Sequence, residues 1–208
     1  MTRSPRMSGE ERREQLLDTT LALIAREGFT GVSIDAVAKA AGISRPIVYG
    51  HFQDLEGLFN ALLDREAGRA ITQLAAVLPR ADDSRPVPAV ATDALRGYLE
   101  AVAASPLTWQ LILMPIEGSP RVLQERVARD RAAVRVQLAA VLAEGLRRES
   151  IDPSGVDLEL AAHIAQGVSE HAARLVITEP EAYPVARIMA LAEQAAGAIL
   201  TTLVRSAA

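Results

Sequence analysis

The side chains best suited to chemistry fall within one stretch of twenty residues, 33–52, reading SIDAVAKAAGISRPIVYGHF. Ser44, Arg45, Tyr49 and His51 place four hydrogen-bond donors within eight residues, with Pro46 among them. A guanidinium such as Arg45 can donate twice to the N7 and O6 edge of guanine, or pair with a phosphate. Hydroxyl and imidazole donors at Ser44, Tyr49 and His51 suit phosphate oxygens, which fix register on a duplex without reading its sequence. Ser33 and Ser44 each stand where a helix would begin, and the unpaired N–H groups of a helix start also attract phosphate. Lys39 is the only lysine in the chain and falls on the outer face of the first of two short helices. Ser33, Lys39, Ser44, Arg45, Pro46, Tyr49 and His51 are therefore the candidate DNA contacts. For Tyr49 two readings stand side by side: contact with DNA, or a half-buried aromatic that supports its own helix.

Such donors are useful only if two helices hold them at a fixed angle. Ser33 signals the start of one helix, with Asp35 well placed in its first turn. Ile34, Val37, Ala38 and Ala41 give that helix an inner face, and Ala38 is small where a second helix must approach. Gly42 supplies the left-handed backbone a tight turn needs. Ser44 then opens the next helix, where Pro46 is tolerated because first-turn N–H groups have no helical partner. Ile43, Ile47, Val48 and Phe52 point inward by spacing. The result is a helix-turn-helix over 33–52, with Ile34, Val37, Ala38, Gly42, Ile43, Val48 and Phe52 as its core. The N-terminal end of its second helix would enter the major groove.

The flanks are helical too. Ser8-Gly9-Glu10-Glu11 is a capping box, and Leu17, Leu21 and Ile24 follow at i, i+4 and i+7. Gly28 ends this first helix and frees Phe29 to fold back onto it. Asp54 caps a fourth helix that runs through Leu63 toward Leu78. Residues 79–88 (PRADDSRPVP) form a polar, proline-flanked linker. Helical patterns then span about 88–104, 106–113, 120–148 (opened by Ser119-Pro120), 155–178 and 182–204. The expected fold is all-α with about nine helices in total. An N-terminal three-helix helix-turn-helix domain, 10–70, precedes a larger helical domain, 80–208.

Composition agrees with helices and narrows function. The 208 residues are half apolar but only 3% aromatic, and Ala, Leu and Arg dominate over strand formers. The absence of cysteine removes disulfides, thiolate nucleophiles and Cys-based metal sites. There is no HExxH, P-loop, GxSxG or GxGxxG, so an enzyme is not expected. No cofactor is implied. His163 and His171 lie eight residues apart on one helical pattern, about 12 Å, too far to share one ion. A structural or dimer-contact role is favoured for both, and no metal is expected. A polar start and the lack of a long apolar run make the expected location cytoplasmic.

A net charge of −4 argues against general coating of nucleic acid. Residues 1–50 nevertheless hold seven basic and six acidic side chains, against fifteen and twenty in the remainder. Any DNA surface is therefore local. Arg3, Arg6, Arg12 and Arg13 precede or open the first helix, either as an arm reaching the minor groove or as a solvated tail.

The run from Gln15 to Phe59 resembles the N-terminal domain of TetR-type bacterial transcription regulators. The matching residues are a Leu-Leu helix, Arg26-Glu27-Gly28-Phe29, Val32-Ser33-Ile34, Val37-Ala38, Ala40-Ala41-Gly42-Ile43-Ser44, Tyr49-Gly50-His51-Phe52 and Leu58-Phe59. One position departs: Leu55 stands where the family commonly has a phosphate-binding Lys. The resemblance implies a homodimer on a palindromic operator, most often a repressor released by a small effector. It also implies that the last two long helices pair with a partner's. Ala161, Ala165, Val168 and Ala172, with Leu191, Ala195 and Ile199, are the candidate interface. The remaining two-thirds of the chain match only in helical character. Tyr98, Trp109, Leu113 and Met114 are the candidate effector pocket, read equally well as filled core. Glu100 is the only charge in 98–116, so a bulky apolar ligand is weakly preferred. The alternative is a helical small-molecule or protein-binding regulator that has lost DNA binding.

Overall fold

The computed structural model describes residues 7–77, 85–114 and 121–206. Among them are nine α-helices, two 3₁₀ turns and no strand. The helices are α1 (Gly9–Glu27), α2 (Ile34–Ala40), α3 (Arg45–His51), α4 (Leu55–Val77), α5 (Val87–Ala104), α6 (Pro106–Leu113), α7 (Arg121–Arg148), α8 (Leu158–Thr178) and α9 (Val185–Ser206).

Local chemistry explains most of these boundaries. The capping box at α1 forms in both directions, Glu11 N–H to Ser8 Oγ at 3.2 Å and Ser8 N–H to Glu11 Oε2 at 2.7 Å. Ser33 accepts from the Ala36 N–H, Asp54 from Gly57 and Asp157 from Leu160, each within 3.1 Å. Gly28 and Gly42 have φ of +70° and +68°, so both turns use backbone that side chains resist. Pro86 and Pro88 flank the start of α5, while residues 78–84 of the expected linker lie outside the described residues. The expected Ser119-Pro120 start of α7 lies outside them as well.

Two expectations at α3 are corrected. Ile47 is exposed rather than inward, because α3 has only two turns and Val48 and Phe52 already fill its inner side. Ser44 occupies the cap position of α3, but its side chain makes no capping bond.

Burial divides into two clusters. The first joins α1, α2, α3 and the start of α4 through Leu16, Leu17, Val37, Val48, Leu58 and Leu62, among others. Phe29 and Phe59 meet edge to face there at 5.0 Å. The second joins α4, α5, α6, α8 and α9 through Ala70, Leu99, Val102, Trp109, Ala173 and Met189. Each fully buried Leu contributes about 1.5–3 kcal/mol. α6 belongs to both, since Leu111 enters the first cluster while Trp109 and Leu113 enter the second. α4 likewise spans the two. No helix among the described residues is long and apolar enough to cross a membrane.

Candidate DNA-binding surface

The turn between α2 and α3 is closed by its own backbone. The Gly42 N–H donates to Lys39 O at 3.2 Å and the Ile43 N–H to Ala38 O at 3.0 Å. Beneath it Ile34, Val37, Ala38, Val48 and Phe52 are buried, with Ile43 half-buried against them. This packing fixes the angle between the helices and leaves one side of α3 in solvent.

That side carries the expected donors. Ser44, Arg45, Pro46 and Tyr49 are all exposed, as is Lys39 on α2. Tyr49 is 46% exposed, so about half of its side chain is open to a partner. His51 is half-buried, its ring 6.4 Å from that of Phe52. The Ser33 oxygen is engaged with the Ala36 N–H, which leaves its O–H free to donate. Arg45 is not isolated: its Nε lies 2.7 Å from Asp35 Oδ1 on α2, a partner that the sequence motif did not suggest.

Leu55 is half-buried against the first cluster, so the start of α4 spends that position on packing. Asp54 and Glu56 beside it are exposed and acidic. Arg12 and Arg13 belong to α1, and Arg13 covers the Phe52 ring at 5.4 Å from its centre. Arg3 and Arg6 lie outside the described residues.

Behind this surface lies a charged cluster that periodicity hid. Glu66 on α4 is fully buried. It accepts from Arg65 Nε at 2.8 Å, from Arg69 at 3.1 Å and from the Thr108 hydroxyl of α6. Arg65 also reaches Glu14 at 2.9 Å and Asp18 at 2.8 Å on α1. Burial alone would lower the Arg65 pKa, but Glu14, Glu66 and Asp18 together hold it above its ordinary value. α1, α4 and α6 are thus tied through one buried carboxylate. The signal in the sequence was an acidic residue four beyond Leu62, on the apolar stripe of a helix.

The candidate effector residues partly assemble. Tyr98 and Trp109 stack edge to face at 5.2 Å, and Leu113 is buried with them. Trp109 Nε1 donates to Gln73 at 2.8 Å, and Gln73 donates on to Ser105 at 2.9 Å. Met114 is half-buried just past the end of α6. An open groove of about 370 Å³ lies on the α7–α8 seam, lined by Ala132, Arg135, Val136, Ala139 and Glu159. None of the four expected residues lines it.

On α8 and α9 an apolar stripe faces solvent. Leu160, Ile164, Val168 and Leu191 are between 55% and 70% exposed. Ala195 is exposed, Ala161 and Ala165 are half-buried, and Ala172 packs against the second cluster. The side chain of Ile199 lies outside the described residues. His163 and His171 are exposed. Among the described residues no group of three His, Cys, Asp or Glu is placed to hold a metal.

Comparison with known proteins agrees with this geometry. Residues 16–62 match the family model of bacterial regulatory proteins, tetR family. The HTH-type transcriptional regulator AcrR of Shigella flexneri is 36% identical over 62 residues, 30% of this chain and 29% of AcrR. The chain thus spans under a third of the length of the curated relatives it first matches, AcrR and an EthR of Mycolicibacterium smegmatis. Solved structures match much further. A TetR-like transcriptional regulator from Rhodococcus sp. RHA1 has a TM-score of 0.73 at 25% identity, covering 96% of this chain and 99% of that one. FadR from Bacillus subtilis, in complex with stearoyl-CoA, has a TM-score of 0.66 at 16% identity, covering 88% and 95%.

Proposed function

From the premise that the chain belongs, through its N-terminal domain, to the tetR family of bacterial regulatory proteins, we propose that it is a homodimeric repressor released from its operator by a small effector. It is a transcription regulator with a helix-turn-helix. The finer reading rests on one observation above all: α3 presents Arg45 and Tyr49 to solvent while Val48 and Phe52 bury its other side. A single seven-residue helix touches only a few base pairs. Two copies, one DNA turn apart, combine their affinities and read a pseudo-palindrome. The exposed stripe on α8 and α9 supports pairing of two chains by those helices. The division into a DNA-binding unit near 10–70 and an effector and dimer unit near 80–208 belongs to this proposal, as does a cytoplasmic location.

In the proposed mechanism effector binding favours an arrangement in which the two α3 helices no longer match successive major grooves. The second cluster is the proposed receptor, and the complex of FadR, a protein of similar fold, with stearoyl-CoA supports a response to a small ligand. The coupling element is α6, which contributes to both clusters and bonds Glu66 through Thr108.

Gel shifts on DNA from the upstream region of its own gene, at increasing salt, test the DNA reading. The expected result is a specific complex whose affinity falls steeply with salt. Leu55 and the acidic start of α4 are what favour the alternative, a helical binding protein without DNA contact. No shift at any salt, on that DNA or on a random-sequence pool, would establish that alternative.

A further inference from the structure

The second cluster holds charge that its own sequence window lacks. Arg131 of α7 and Arg174 of α8 both donate to the Leu113 carbonyl at the end of α6, each at 3.1 Å. Both also reach Glu170 Oε2, at 3.3 and 3.0 Å. The Glu170 side chain is only 14% exposed, and the two arginines are about one-third exposed. Among the described residues, two guanidinium groups against one carboxylate leave one positive charge in excess. Arg131 Nε is buried and meets no acceptor among the described residues. Tyr98, stacked on Trp109, shares the same field. Burial and then the Glu170 carboxylate raise its phenol pKa, while Arg174 and Arg131 act against them.

A buried, unpaired N–H on a partly exposed guanidinium is unfavourable, and the helix-end carbonyl offsets the excess charge only in part. A monoanion would neutralise the excess and accept from the free Nε. Resting on the effector reading above, we propose that the ligand of this domain is an amphipathic acid. Its single carboxylate is taken by Arg131 and Arg174, and its apolar body lies against Tyr98 and Ile112, which are only partly buried. This replaces the apolar ligand that residues 98–116 alone suggested.

The charge also supplies a route to DNA. An acid competes with the Leu113 carbonyl for both guanidinium groups and so loosens the end of α6. That helix carries Leu111 in the first cluster and Thr108 on Glu66, so its shift is felt by α1 and α4. A neutral apolar compound leaves the arginines where they are.

The test uses the full chain and matched probes: decanoate against 1-decanol, and 2-naphthoate against 2-naphthalenemethanol. Binding is read by calorimetry and by the shift in melting temperature. At least one acid is expected to bind tenfold or more tightly than its alcohol. Arg131→Gln and Arg174→Gln should each weaken that acid tenfold while leaving the alcohol unchanged. The wild-type comparison needs no variant, so a variant that fails to fold does not blunt it. Alcohols binding as well as their acids would overturn the acid-head inference and leave the effector reading standing. Binding of none of the four would overturn both.

Discussion

Asp35 and Arg45 hold each other across the turn, with Arg45 Nε 2.7 Å from Asp35 Oδ1 and both side chains more than half exposed. So exposed a pair adds under about 1 kcal/mol to stability. Its consequence is directional. With Nε engaged, the two terminal nitrogens remain for a base edge or a phosphate. In the proposed complex, Asp35 thereby limits the poses in which Arg45 meets DNA.

Asp35→Ala separates orientation from charge. Removing a carboxylate from the surface that faces phosphate should raise affinity for random DNA. Freeing Arg45 should lower the preference for an operator selected from a random pool. Anisotropy titrations on both DNAs at two salt concentrations measure this. An equal gain on both would mean that Asp35 acts only as a charge. Arg45→Ala should cost about 1–3 kcal/mol on the selected site and much less on random DNA.

Gly42 isolates the backbone requirement of the turn. Its φ is +68°, and a Cβ built there meets nothing within 4 Å. Any penalty of substitution is therefore torsional rather than a clash. Gly42→Val should lose about 1–3 kcal/mol in urea unfolding and reduce DNA binding. Gly42→Asn should lose less, since Asn tolerates the left-handed region. Val and Asn variants of equal stability would show that the turn can relax out of that region.

How much of this was legible beforehand depends on the range of the interaction. Ser8, Ser33 and Asp54 act on N–H groups three residues away, so their caps could be read directly. Ile47 could not be placed, because spacing in a seven-residue helix does not fix the width of its buried stripe. Arg45 was identifiable by its place in the motif, but its partner Asp35 required the angle between two helices. Arg131, Glu170 and Arg174 lie on α7 and α8, and only packing brings the two arginines to the Leu113 carbonyl at the end of α6. Short-range chemistry was readable, and the joins between distant segments were not.

Glu66 is such a join, and its energetic weight can be measured. It is fully buried and accepts from two arginines and from Thr108. Glu66→Gln removes the buried carboxylate from Arg65 and Arg69, leaves Arg65 its bonds to Glu14 and Asp18, and should cost about 1–3 kcal/mol. Thr108→Val removes one bond to a charged acceptor and should cost about 1–3 kcal/mol. In the double variant the losses should fall short of additivity by about 0.5–3 kcal/mol, because the two residues share a bond. Strict additivity in urea unfolding would show that α4 and α6 are not coupled there.

The stripe of Leu160, Ile164 and Val168 on α8, with Leu191 on α9, sets a test of assembly. These side chains are exposed within one chain, so charging them should leave the fold of that chain intact. Between two chains the same change places an unpaired carboxylate in an apolar contact, which costs several kcal/mol. Val168→Glu combined with Leu191→Glu should therefore sediment as a monomer with an unchanged helical circular dichroism spectrum. Its melting temperature should stop rising with protein concentration, because mass action no longer favours the folded dimer. Operator affinity should fall as the second recognition helix is lost, while the weak binding of each α3 to random DNA persists. A double variant that still sediments as the wild type does would place the interface on another face.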